Sequence, residues 1–401
     1  MEKKPVSKKQ LRRTVLLSAL AVLIVVFGGL YAAARTFGRV SLSNLADVFA
    51  AFSVKDDSAF PYPVDAGTVV RIVPVGSGIG VLRTDKLDVL TKSGAILQTV
   101  KHTYTMPAVD VCGGRILLYD RAGTRYMLLS KTSTLRTGEL RKEETEETDE
   151  KDETKILTAS LAEDGRYAVA TTCESAKSLL TVYKSSGEAF FQYKCVSEYI
   201  TDVAFTNGGV VLTVAGVRDA SPYSRLISLS FRKTKPIADF TYNDATLFHV
   251  HADANGATAC GSSCLAQIRH KTEQLPQVSF GSDTLQFFCE EPGGKTTLVL
   301  LTFGNEHESK LRGLRKNGDT AFEADCGEKL KDASRSSAYT AVLTDNTVLS
   351  YNNSGSQIGT LHLTQAAQKI ALSERMVFVL FNDHIDAFPA AGEHEQPAEN
   401  G

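Results

Sequence analysis

Short apolar runs separated by polar turns, recurring about every 43 residues, predict an all-β fold: a single β-propeller of about eight four-stranded blades. Seven blades is the alternative count. A second observation places this ring behind a membrane segment, because Thr14–Ala34 carries no charge over 21 residues. A third is that no long helical period follows Thr68, which disfavours a helical bundle. A pair of β-sandwiches is the competing arrangement, since it too would show many short strands with regular turns.

Residues 1–13 are a basic N-terminus, with Lys3, Lys4, Lys8, Lys9, Arg12 and Arg13 against a single Glu2. Such a cluster stays on the cytoplasmic side. Residues 14–34 then form a transmembrane helix, because about 20 apolar residues span roughly 30 Å of hydrocarbon. A cleavable secretory signal ending near Ala32, Ala33 and Ala34 is the alternative and leaves the same topology. The apolar run exceeds the roughly 7–15 residues usual in such signals, which favours a retained anchor. The expected location is therefore the cell membrane, single-pass, with the C-terminal domain extracytoplasmic.

Residues 35–59 form a juxtamembrane linker. Within it Leu42, Leu45, Val48, Phe49 and Phe52 fall at helical spacing, which predicts a short amphipathic helix over Ser41–Phe52. The propeller is assigned to residues 60–389. Its recurring turns are Lys92-Ser93-Gly94, Lys131-Thr132-Ser133, Ser185-Ser186-Gly187, Lys233-Thr234-Lys235, Lys271-Thr272-Glu273, Asn317-Gly318 and Asn353-Ser354-Gly355. Blade three shows the unit plainly: strands over 155–161, 167–172, 179–183 and 189–193, with Glu163-Asp164-Gly165 as the first turn. The last unit supplies only three strands, near Lys369–Leu372, Met376–Phe381 and His384–Phe388. Closure of a ring removes open edges, so a strand near Phe60–Val64 is expected to complete it. Residues 141–154 are an acidic loop, with eight Asp or Glu between Glu143 and Glu153, and 390–401 a disordered tail.

Removing the six basic residues and one acid of the N-terminus leaves 38 Lys and Arg against 45 Asp and Glu, a net charge of −7. That argues against a nucleic-acid partner, which needs concentrated positive charge. Cys112, Cys173, Cys195, Cys260, Cys264, Cys289 and Cys326 mostly fall in strand-like apolar segments and read as core residues. Cys260 and Cys264 are spaced so that a disulfide could cross a tight turn, and the sequence alone does not establish it.

Aligning the inner strands on the turn that follows them puts a polar residue at one register in each blade. These are Thr158, Asp202, His249, Gln286, Asp332 and Lys369, with Asp110 joining on a shorter turn. Inner strands line the central channel, so these residues would ring its mouth as a binding site, or simply hydrate it. Within the ring, His249, His251 and Asp253 alternate along a strand and share a face, which is a possible metal-ligand pattern. The ligands that would complete such a site are not visible nearby.

Signatures of catalysis are absent: there is no G-x-S-x-G elbow, Walker A loop or HExxH pair. The run Gly76-Ser77-Gly78-Ile79-Gly80 reads as a hairpin turn between strands, with no helix to receive a phosphate. No tryptophan is present for an indole docking pattern.

The basic start, the single apolar segment, the Phe60-Pro61-Tyr62-Pro63 run and the repeated Ser-Gly turns together resemble an uncharacterised family of membrane-anchored, propeller-like proteins of Gram-positive bacteria, a domain of unknown function. The Glu163-Asp164-Gly165-Arg166-Tyr167 piece is similar to the turn of WD40-like and TolB-like propellers. The resemblance implies a binding scaffold and transfers no catalytic residue. The expected function is a non-enzymatic module, tethered to the bilayer by residues 14–34, that binds an envelope protein or polymer without a cofactor. The alternative is a metal-dependent ligand-binding or hydrolytic ring using the His249, His251 and Asp253 cluster.

Overall fold

The structure, a computed structural model, describes residues 60–395 apart from 141–153, 244, 255, 291–295, 303–307 and 316–318. The membrane helix expected at 14–34, the amphipathic helix at 41–52 and the acidic loop lie outside the described residues. Among those described, no helix is long and apolar enough to cross a membrane. The described chain forms eight sheets, six of four strands and two of five, and one short 3-10 turn at Ala66–Thr68. This is an eight-bladed propeller. The seven-blade count and the sandwich pair are thereby set aside.

The inner strands of blades one to eight are Val69–Val75, Pro107–Cys112, Ile156–Leu161, Tyr199–Thr206, Leu247–Ala252, Thr284–Glu290, Asp332–Arg335 and Lys369–Ser373. Blade eight takes its outer strand from the start of the ring: Tyr62 pairs Ile385 and Pro63 pairs His384. The expected closure by residues 60–64 is therefore what the chain does. Alternating side chains give each blade two apolar faces. Leu298 and Leu300 of blade six pack toward blade five, while Val299 between them packs toward blade seven. The outcome is eight hydrophobic clusters, one in each seam between neighbouring blades.

The same alternation decides the Cys260 and Cys264 question. Cys260 faces the seam with blade six and Cys264 the seam with blade four, so the two thiols point to opposite sides of one sheet. Both are free, as are the other five cysteines. Burial pushes the Cys112 and Cys289 thiols up to about 12, which keeps them neutral core groups.

Two features depart from the regular unit. The outer strand of blade five is split into Glu273–Gln274 and Val278–Ser279, both paired with Cys264–Arg269. Blade seven carries a fifth strand, because Gly392–Glu395 run parallel to Gln357–His362. The tail expected to be disordered from 390 is thus ordered at its beginning: backbone groups at the sheet edge hold a segment whose polar sequence carries no strand signal.

Glycine at the start of the second strand is a close-approach requirement in three blades. A Cβ on Gly78, Gly209 or Gly256 would strike the carbonyl oxygen of Leu90, Leu229 or Ile268 respectively. Gly209→Ala is expected to lower the free energy of unfolding by about 1–3 kcal/mol, read from the denaturant midpoint.

Candidate functional site

Sequential antiparallel strands put the starts of all inner strands on one face of the ring, around one mouth of the channel. Five inner strands carry a bulge close to that start, at Val70, Leu157, Thr201, Phe248 and Gln286. A bulge re-aims neighbouring side chains and often sits beside a site. Here it sets which residues face the channel.

Three of the predicted ring residues are clamps between blades. Asp110 accepts the N–H of Val111 at 3.0 Å and that of Leu161, in blade three, at 2.6 Å. Asp202 accepts the N–H groups of Val203 and of Val250, in blade five, both at 2.9 Å. Asp332 repeats the arrangement with Ala333 at 2.9 Å and Ile370, in blade eight, at 2.8 Å. Each carboxylate therefore satisfies one backbone donor of its own strand and one of a neighbouring blade.

Enclosure disfavours the charged form of all three. Removal from bulk water, reinforced by the charge of Glu290, pushes Asp110 up to about 6 and Asp202 up to about 8. The donated N–H groups oppose this without cancelling it. Asp332 is also raised by burial, and there Lys369 works in the opposite direction. Lys369 is thus close enough to act on Asp332.

The remaining predicted residues scatter. Thr158 is buried and hydrogen-bonds the Tyr119 hydroxyl. Gln286 sits in the bulge and accepts the Ser309 hydroxyl at 3.1 Å within its own blade, so it is off the ring by one residue. His249 is on the ring, its side chain half exposed and 3.9 Å from Asp202. Its imidazole stacks on Phe288 with centroids 5.5 Å apart and meets Phe248 edge-on at 5.0 Å. This apolar packing holds its pKa below the ordinary histidine value.

His251 and Asp253 do not join His249. His251 Nδ1 lies 3.1 Å from a Glu290 carboxylate oxygen in blade six, and Asp253 accepts the Gly256 N–H at 3.1 Å in the turn beyond the strand. Among the described residues, no three His, Cys, Asp or Glu gather closely enough to hold a metal ion.

Two channel residues escaped the sequence reading. The charge of Arg71 in blade one opposes the upward shift of Asp110 and Asp332, and that of Glu290 acts on Asp110, Asp202 and His249. For Arg71 the signal was present: it stands seven residues before Gly78, as Asp202 does before Gly209 and His249 before Gly256. Nothing in the local sequence marks Glu290.

Beside this ring lies a groove of about 590 Å3, lined by Met106, Arg121, Leu157, Ile200, Phe248 and His249 among others. It crosses the mouth over blades two to five. The same face carries most of the exposed large apolar side chains of the described residues: Val70, Met106, Val196, Tyr199 and Val217. Val196 and Val217 are more than 70% exposed.

Solved propellers share this architecture at low sequence identity. The chain is similar to Sqt1 of Saccharomyces cerevisiae (9% identity, TM-score 0.55, covering 82% of this chain and 100% of that one). It is likewise similar to the C-terminal WD40 domain of Sif2 (10%, 0.55, 83% and 99%) and to the WD40 domain of SCAP from fission yeast (10%, 0.52, 82% and 96%). These likenesses concern the fold alone. No curated protein matches the chain in sequence. Residues 61–387, nearly the whole ring, match a family of unknown function, and the chain belongs to that family, DUF5711.

Proposed function

We propose that this protein is a membrane-anchored, extracytoplasmic binding module whose propeller presents the channel-mouth groove to a protein of the cell envelope. The observation that carries the reading is the groove itself, with apolar side chains exposed around it among the described residues. The uncharged segment 14–34 behind its basic cluster supports the anchor and the orientation. The acidic ectodomain disfavours nucleic acid. The metal-dependent alternative has less support, because His249, His251 and Asp253 are drawn to three different neighbours.

The test is crosslinking and capture of the full-length protein from its own membrane, in parallel with Met106→Asp and Phe248→Asp. The native chain should retain a reproducible partner and both variants should lose it by at least about tenfold, as expected for apolar anchors at the centre of an interface. Equal capture by all three would overturn the groove as the binding site. External protease that fails to reach the ring in intact cells would overturn the topology.

A further inference from the structure

The fifth strand of blade seven is attached differently from every other strand described. All other pairings are antiparallel, whereas Gly392, Glu393, His394 and Glu395 lie parallel to Gly359, Thr360, Leu361 and His362. Ala391, Gly392 and Glu393 are exposed, and the His394 ring hydrogen-bonds back to the Ala391 carbonyl at 2.8 Å. Backbone pairing is therefore the main hold on this strand. Just upstream the chain is fixed: Phe388 and Ala390 are buried in the seam of blades seven and eight, and the Ala390 N–H donates to Arg375 at 2.8 Å. Between the fixed and the lightly held parts stands Gly392, at φ +96°, a natural pivot.

Glycine makes room where the fixed part of the chain reaches this edge. Gly359 lies inside the outer strand of blade seven, where glycine weakens pairing, and any Cβ there would overlap the Ala390 carbonyl oxygen.

From these features we infer that the outer edge of blade seven is a strand-acceptor for a second copy of this chain, with Gly392–Glu395 as the donor. A four-residue strand at a sheet edge opens at low free-energy cost and exposes unpaired backbone groups on the edge it leaves. Every copy carries both the acceptor and a donor that fits it. Reciprocal exchange replaces each hydrogen bond made within a chain by the same bond between chains, the usual low-cost route to a twofold pair. The two rings meet rim to rim at blade seven, leaving the channel-mouth face of each free.

The test mixes two differently tagged full-length chains, one Thr360→Cys and one Glu393→Cys, and adds a short bismaleimide. Placing both substitutions in one chain gives the intramolecular link expected from their pairing. A covalent dimer bearing both tags is the expected product. It should fall at least tenfold when the acceptor also carries Gly359→Val, and should be suppressed by excess peptide spanning residues 390–401. Because Gly359→Val also strikes the Ala390 carbonyl of its own chain, the peptide competition stands as the independent readout. Dimer no more abundant than that formed by a Lys101→Cys control, or dimer indifferent to the peptide, would overturn the exchange.

Discussion

Phe378→Ala is expected to lower the free energy of unfolding by roughly 3–5 kcal/mol, the largest single effect predicted for this fold. Phe378 is fully buried in the seam between blades eight and one, where its ring lies 5.5 Å from that of Phe60. That seam gathers Val64, Ile79 and Leu90 from the beginning of the ring with Ala371, Leu380 and Ile385 from its end. It is where the chain closes on itself. Losing the phenyl ring removes apolar burial and leaves a cavity that the rigid strands on either side cannot fill. Ile96→Ala, at a side chain half exposed on an outer strand, should change stability by no more than about 0.5 kcal/mol. Denaturant unfolding of the two variants beside the parent measures both values, and equal losses would show that the seam has no special part in closure.

Asp202→Ala should cost roughly 2–5 kcal/mol, because it strands the N–H groups of Val203 and Val250 in one step. The clamp also makes stability depend on pH in a defined direction. The folded-state value of Asp202 is raised to about 8 and that of Asp110 to about 6, both above the ordinary aspartate value near 4. A raised carboxyl contributes stability that is fully present below its unfolded value and is lost as pH rises through its folded one. The melting midpoint should therefore fall as pH rises from about 4 to 8, with Asp110 acting over the lower part of that range and Asp202 extending to its top. Asp202→Asn keeps one acceptor oxygen and removes the titration. Its midpoint should be lower at pH 5 yet lack the decline between about pH 6 and 8. Thermal unfolding at constant ionic strength reads both curves, and parallel slopes for parent and variant would exclude Asp202 as the source.

Much of the ring was legible because strand and turn chemistry is local. The turn glycines Gly94, Gly187 and Gly355 do adopt positive φ, at +94°, +83° and +83°, and each falls between the third and fourth strands of its blade. The strand at Tyr62–Pro63 was predictable from a deficit, since the last unit had three strands and an open edge. The candidate site was less legible. That Asp110, Asp202 and Asp332 each hold a backbone N–H of a neighbouring blade is not visible in any one strand's sequence, and the register of Gln286 is off by one residue. There a bulge inserts one residue and turns the side chain toward Ser309. Alternation along a strand also suggested that His249, His251 and Asp253 would converge. Asp253 instead lies beyond the strand end, in the turn with Gly256, where the period of two no longer applies.

The sequence by itself determined an all-β ring of repeated four-stranded units, the position of the closing strand and most of the polar residues on the inner strands. Those properties rest on periodicity, turn residues and edge satisfaction, all of which act over a few residues. Only the tertiary structure decided what the polar residues do. Whether a carboxylate waits for a ligand or holds the N–H of a neighbouring blade depends on which strand lies alongside, 48 residues away in the case of Asp202 and Val250. The same holds for the channel reach of Glu290 and for the tail against Gly359, both of which arise when distant segments are brought side by side.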